Sequence, residues 1–320
     1  MKIKEETILY ENEIPYNVSL YDISYIMPHF HRKELELIFC MEGHVNLVAG
    51  HQKVRINSGE VFSVDYRDIH YIYSDVPNKT ILFHLDLTKL DIPWEKLSCV
   101  YFSCESIHCY PYQIGAMNDI KDILLTLTYV KYSDSPEYGS LPNSLIRILL
   151  KYFNWFNYEN PTSQMNIDLY ERFYRILRYC HENYDKKISI SQLADSEHIN
   201  RNYFSQFISK TVFRNFSSMI KYIRCYEAEQ LLLKTDLPVS EISYSCGFSD
   251  NKYFYSAFKT WWKVTPAEHR ANYMEYMKND TKIATLDNND AKDSLRSYIT
   301  KWHIEKTLTF KSDTILQNLS

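Results

Sequence analysis

Two stretches of the C-terminal half echo each other about fifty residues apart: Leu193–Ile208 (LADSEHINRNYFSQFI) and Ile242–Phe258 (ISYSCGFSDNKYFYSAF). Tyr203-Phe204 corresponds to Tyr253-Phe254, and Phe207-Ile208 corresponds to Ala257-Phe258. Each copy reads as a short helix, a tight turn and a second helix, the helix-turn-helix layout. Spacings of i, i+1, i+4 and i+5 predict one buried stripe on each second helix: Tyr203, Phe204, Phe207 and Ile208, then Tyr253, Phe254, Ala257 and Phe258. The opposite faces carry Arg201, Asn202, Ser205 and Gln206 in one helix, and Asn251, Lys252, Tyr255 and Ser256 in the other. Asn and Gln pair bidentately with adenine edges, and Arg and Lys with guanine. These eight residues are therefore the expected DNA contacts. On a lone helix such a face is usually just solvated, and it is the repetition that favours function. Asn200, and Ser249 or Asp250, are expected to cap the two helices.

Between the copies, residues 216–234 carry apolar side chains at Met219, Ile220, Ile223, Leu231 and Leu232, and Thr235–Pro238 ends the run. At 1.5 Å per residue, about 18 residues make a strut of roughly 27 Å. Such a strut suits two recognition helices about one DNA turn apart, roughly 34 Å. Charge points the same way. The 320 residues have a formal net charge of −4. Residues 1–160 hold 14 Lys and Arg against 21 Asp and Glu, and residues 167–278 hold 16 against 13. A basic module joined to an acidic one suits approach to phosphate.

The order and spacing of Arg224, Ala228, Leu231-Leu232, Ser240-Glu241-Ile242, Cys246-Gly247-Phe248, Asp250, Tyr253-Phe254, Phe258-Lys259, Thr265-Pro266 and Arg270 resemble the double helix-turn-helix domain of the AraC/XylS family. The resemblance covers Ile188–Arg270. It implies a transcription regulator, such as an activator, that reads double-stranded DNA as a homodimer, with RNA polymerase as a further candidate partner. His198, Val212 and Lys263 stand where the family usually has Gly, and His269 where it usually has Tyr. Gly serves where φ is positive. His tolerates such a backbone, whereas β-branched Val does not, so Val212 is expected to strain or reshape the first unit.

The N-terminal half reads differently. From about 18 to 88, short runs rich in β-branched and aromatic residues (ELELIFCM, VNLVAG, QKVRI, VFSVD, IHYIYS, TILFHLDL) alternate with turn signals at Gly43, Gly50, Gly59 and Pro77-Asn78. Evenly spaced short strands predict an antiparallel barrel or sandwich. Two amphipathic helices are expected at 118–130 and 141–157. The whole is thus α+β: an N-terminal antiparallel β-barrel with amphipathic helices, then an all-α double helix-turn-helix domain. The expected divisions are 1–110 for the barrel, 111–158 for a helical dimerisation region, 159–166 for a linker, 167–278 for the DNA-binding domain, and 279–320 for a tail without assigned role.

Within the barrel, His29-Phe-His31-x4-Glu36-x6-Gly43 has the spacing of the first cupin motif, and Gly59 with His70 retains part of the second. Asp65 and Arg67 replace that second motif's usual Pro and Gly. Residues 18–90 therefore resemble the cupin-like sensor barrel often fused to AraC-type DNA readers. The resemblance implies a small-molecule effector, such as a sugar, at His29, His31, Glu36 and His70. Three readings of the four stay open: a metal-free effector pocket, internal hydrogen bonding, and a metal site, since imidazole and carboxylate suit several first-row ions. The first is preferred, with no catalytic residue, metal or cofactor assigned. The alternative is a metal-dependent cupin enzyme fused to a DNA-binding module. Tyr66, Tyr71 and Tyr73 could stack on a sugar, though such residues more often serve as core or rim.

Seven cysteines, an odd number, and no apolar run resembling a secretion signal in residues 1–20 predict reduced thiols in a cytoplasmic protein. The even spacing of Cys99, Cys104 and Cys109 matches no standard zinc finger. No stretch of about 18 apolar residues predicts a membrane span.

Overall fold

The computed structural model describes residues 2–11, 13–98, 100–133, 138–154 and 167–317. The expected linker 159–166 and Cys99 lie outside the described residues. The N-terminal half is built from strands β1 (Lys4–Glu5), β2 (Tyr16–Phe30), β3 (Glu34–Glu42), β4 (His44–Ala49), β5 (Gln52–Asn57), β6 (Val61–Val64), β7 (His70–Tyr73) and β8 (Lys79–Asp86). They are followed by helices α1 (Trp94–Leu97), α2 (Ile114–Lys131) and α3 (Leu141–Tyr152). The second amphipathic helix thus stops at Tyr152, short of the expected 157.

The strands form a nearly closed antiparallel barrel in the order β5-β4-β7-β2-β8-β3-β6. Side chains alternate across a strand, and β3 divides accordingly. Leu35, Leu37 and Phe39 pack with α2 and α3 in one core, whereas Ile38 and Cys40 join Ile23, Val45, Leu47, Ile72 and Leu82 in a second, inside the barrel. Gly43 turns β3 into β4 at φ +74°, where a Cβ would stand 2.4 Å from the Pro77 carbonyl.

Helices α4 (Ile167–Glu182), α5 (Ile190–Ser196), α6 (Arg201–Ser209), α7 (Phe216–Lys234), α8 (Val239–Ser245), α9 (Asn251–Trp262) and α10 (Pro266–Tyr276) make the C-terminal region. The two helix-turn-helix units are α5–α6 and α8–α9, with α7 as the strut between them. The remaining tail returns to the barrel. Strand β9 (Lys282–Thr285) pairs with β2 through Tyr21–Thr285 and Ile23–Ile283, and α11 (Asn288–Gln317) packs on α2. There Trp302 Nε1 donates to Asp122 Oδ1 at 2.7 Å.

The expected backbone strain falls differently from the sequence reading. His198 does adopt positive φ, at 54°. Val212 does not. Arg214, two residues on, takes φ 61° instead, so the turn before α7 is made without forcing a β-branched residue. Lys263 ends α9 in the left-handed region at φ 63°, a conformation in which a Cβ costs about 1–2 kcal/mol. Lys263→Gly is therefore expected to stabilise the fold by up to about 1 kcal/mol, read as a higher denaturant midpoint at unchanged slope.

Candidate functional site

Each recognition helix begins with a side-chain cap. Asn200 Oδ1 accepts from Tyr203 N at 2.8 Å, and Asp250 Oδ1 accepts from Lys252 N at 2.6 Å. Of the two cap candidates for the second unit, Asp250 is the one used. The cores of the units are Phe204, Phe207 and Ile208 in α6, and Phe254, Ala257 and Phe258 in α9, all buried. The tyrosines expected in those stripes are not. Tyr203 is 41% exposed and Tyr253 63%, so each projects beside the polar face. One helical position separates a stripe from its rim, and Tyr tolerates either because its ring is apolar and its hydroxyl is polar.

Arg201, Asn202, Ser205, Gln206, Lys252, Tyr255 and Ser256 are exposed as expected. Asn251 is half-buried, and its Oδ1 is enclosed without a hydrogen-bond partner, so it is poorly placed to reach a base. Two further cations are structural. Arg224 donates to the carbonyls of Tyr184 and Lys186, and Arg270 to those of Leu232 and Leu237, all at 2.8 Å. His269 holds buried Glu229 at 2.7 Å. These three residues stitch the helices together.

The barrel brings His29, His31, Glu36 and His70 together. β2 places His29 opposite His70, and β3 places Glu36 opposite His84 of β8. His84 was not part of the motif reading, and its signal would have been an inward position on a strand paired to β3. All five are buried. His70 Nε2 stands 2.7 Å from Glu36 Oε2, His31 Nε2 3.4 Å from the same oxygen, and His84 Nε2 3.7 Å from Glu36 Oε1. Glu6, from the segment before β2, reaches in from outside, 3.2 Å from His29 Nε2 and 3.7 Å from His31 Nε2.

Electrostatics follow from this crowding. Burial drives the His29 imidazole well below its ordinary value, and His84 to about 3. Burial also opposes ionisation of Glu36, but the imidazole of His70 and its neighbours outweigh it and hold the carboxyl well below the usual range. Burial works against charge on His70 too, yet the Glu36 carboxylate raises it overall. Buried nitrogens and carboxylate oxygens that converge without hydrogen-bond partners fit a metal ion, and the four motif residues are the ones that would hold it.

The cluster is packed too closely to enclose an organic molecule. A cavity of about 830 Å³ lies beside it, between residues 2–9, β2, β8 and the stretch around Met277–Ile283. Of the four expected effector residues only His29 lines it. Asn17, Ser19, Tyr21 and His84 supply its other inner polar wall. The sugar-stacking candidates lie elsewhere. Tyr71 stacks on Tyr276 of α10 with centroids 4.2 Å apart, Tyr66 donates to the Ser98 carbonyl, and Tyr73 lies under Lys53.

Cluster and strut are joined by two neighbouring residues. The Arg67 amide donates to the His31 carbonyl, and its guanidinium meets Glu227 of α7 at 2.7 Å. The Asp68 carbonyl accepts from His70 Nδ1, and its carboxylate accepts from Tyr226 of α7 at 2.9 Å.

Capped helix pairs with exposed polar faces, joined by one strut and docked on a barrel, define a double helix-turn-helix architecture. Residues 193–272 match a family model described as a helix-turn-helix domain. The chain is similar to the uncharacterised regulator YijO of Escherichia coli K12, 32% identical over 101 residues, which are 32% of this chain and 36% of that protein. The Xylose operon regulatory protein of the same strain is also 32% identical over 101 residues, with 26% of its length covered. The chain thus spans about a third or less of these relatives. The transcriptional activator RhaR of Enterobacter sp. 638 is 20% identical over 239 residues, 73% of this chain and 84% of that protein. ToxT from Vibrio cholerae aligns over 81% of this chain and 98% of its own at 14% identity, with a TM-score of 0.40. Residues 193–272 thus form a helix-turn-helix domain similar to those of these transcription regulators.

Lys252→Ala is expected to relax base preference by about 1–3 kcal/mol at the contacted position. Asn251→Ala is expected to leave preference unchanged. Selection from random duplexes measures both, and an effect on Asn251 alone would reverse the assignment.

Proposed function

We propose that the chain binds duplex DNA sequence-specifically through α6 and α9, and that its barrel takes up a small-molecule effector, with a sugar as the leading class. The observation that carries this reading is the double attachment of α7. The same helix spaces the two recognition helices and meets the barrel through Arg67 and Asp68, each one bond network from the histidine cluster. An effector bound with different affinity in two arrangements of this contact would shift the equilibrium between them. The relative named for the xylose operon supports a sugar, and the similar proteins named as regulators support a non-catalytic barrel.

The effector occupies the cavity of about 830 Å³, touching His29 and His84, with Asn17 and Ser19 offering hydrogen bonds. His31, Glu36 and His70 stand behind that wall. The protein acts in the cytoplasm as a homodimer, with RNA polymerase as a partner at the promoter. Because α11 packs on α2, α3 is the remaining candidate for the dimer contact. Among the described residues no helix is long and apolar enough to cross a membrane.

Ser19→Phe fills the cavity from a half-buried position on β2, away from every DNA-facing residue. It is expected to abolish effector response in a reporter assay while DNA affinity without effector stays within about twofold. A retained response would place the effector elsewhere, and a loss of basal DNA binding would make the cavity structural.

A further inference from the structure

Away from the histidine cluster, the docking of α7 and α9 against the barrel encloses a second space. A cavity of about 70 Å³ lies between the β4–β5 turn, the segment after α1, α7 and the end of α9. Four carboxylates border it: Asp65, Asp68 and Glu105 from the N-terminal half, and Glu229 from α7. No Lys or Arg is among the described residues around it. Carboxylates kept from water are costly unless a cation meets them. Burial, and after it the Asp68 carboxylate, push the Asp65 carboxyl well above its usual range.

Trp262 makes a different demand on the same space. It is 3% exposed and its ring is fixed by stacking on Phe258, with centroids 4.8 Å apart. Its Nε1 has no acceptor, although it is buried, and a buried donor left unpaired is unfavourable. A Cβ on Gly50 would stand 3.8 Å from that nitrogen and 3.9 Å from both Glu229 oxygens, so the indole N–H and the carboxylate border one gap. An occupant that suits both offers a positive charge and, close to it, an oxygen. A metal ion would meet the carboxylates but not the indole N–H, which is itself a donor.

A larger cavity of about 460 Å³ adjoins the small one, and His51, Gln52, Ser103, Glu105 and Tyr222 line both. Its walls include the rings of Tyr110, Tyr112, Tyr152 and Trp261. Tyr110 and Tyr112 stack with centroids 5.8 Å apart, and Trp261 stands edge-on to Tyr222 at 4.9 Å. Aromatic faces attract organic cations, and apolar walls with a few converging polar groups suit a small molecule. Neither space shares a lining residue with the cavity of about 830 Å³.

We propose that this interface binds a small organic ammonium ion with a neighbouring hydroxyl, an amino alcohol on an aromatic body. The ammonium donates to Glu229 and Glu105 in the small cavity, the hydroxyl accepts from Trp262 Nε1, and the body lies among the rings of the larger one. The barrel half, α7 and α9 all contribute contacts, so the ligand fastens the second helix-turn-helix unit to the barrel. The site is apart from the proposed effector cavity and stands or falls separately from that reading.

The test titrates the full chain with 2-amino-1-phenylethanol by calorimetry, beside its uncharged counterpart 1-phenyl-1,2-ethanediol. The wild type is expected to bind one amine per chain more tightly than millimolar and to melt at a higher temperature when loaded. The diol is expected to bind at least twentyfold more weakly. Glu105→Gln keeps volume and loses only an exposed pair with His108. It is expected to weaken amine binding about tenfold, with the ligand-free melt unchanged. Ser103→Leu, at a half-buried position common to both cavities, is expected to abolish binding. If Ser103→Leu does not fold, Glu105→Gln and the diol decide. No amine binding tighter than millimolar overturns the site, as does a diol that binds as tightly as the amine, or amine binding undiminished in both variants. Binding lost in Ser19→Phe but kept in Ser103→Leu would move the amine to the barrel cavity and equally overturn the proposal.

Discussion

Strut α7 has to be buried on nearly all sides, because α4, α6, α8, α9, α10 and the barrel all lie against it. Six consecutive residues, Cys225–Gln230, are buried, and they include Glu227, Glu229 and Gln230. A helix enclosed in this way is ordinarily apolar all round. Charges tolerated there must be paired, since an isolated buried carboxylate is very unfavourable. Glu227 is held by Arg67 and His181, and Glu229 by His269. The ion pairs therefore say which surfaces must meet α7, and in what register. Removing Arg67 or His269 would leave a charge stranded inside the molecule, which is far more damaging than losing a surface pair.

That requirement explains the departures from the cupin and AraC patterns. Arg67 stands at a position where the cupin pattern has Gly, and it keeps the backbone that Gly would have, at φ 72°. The strain is offset by the contact its side chain makes with Glu227. Asp65, at the usual Pro, accepts the Phe102 N–H between its two carboxylate oxygens and ties the β6–β7 connection to the segment after α1. His269, at the usual Tyr, neutralises Glu229. What reads as a degraded motif is a docking surface.

The sequence was legible where periodicity and turn chemistry agree. β3 through β8 are short runs rich in β-branched and aromatic residues punctuated by Gly43, Gly50 and Gly59, so their positions follow from pattern alone. The cap Asn200 follows from helix-start chemistry, which leaves the second cap between Ser249 and Asp250. The remainder depends on partners far away in the chain. Lys282–Thr285 is exposed at every position and becomes a strand because β2 offers a free stretch of backbone. Val212 and Arg214 lie two residues apart, and spacing alone does not say which takes the left-handed turn. His84 and Glu6 belong to no local motif, and only closure of the barrel brings them to Glu36, His29 and His31. The four motif residues were gathered as their spacing implied, but facing one another, and the open cavity lies next to them.

The return of the tail to β2 also orders events during synthesis. Residues 282–285 leave the ribosome after both helix-turn-helix units, yet they pair with a strand made near the start of the chain. Until then Tyr21–Ile23 lacks one neighbour, and α2 lacks the covering of α11. The nascent barrel thus exposes an unpaired stretch of edge for the time needed to translate the whole DNA-binding region. A chain cut short after α10 would therefore carry both helix-turn-helix units on a barrel whose β2 lacks the partner that residues 282–285 supply.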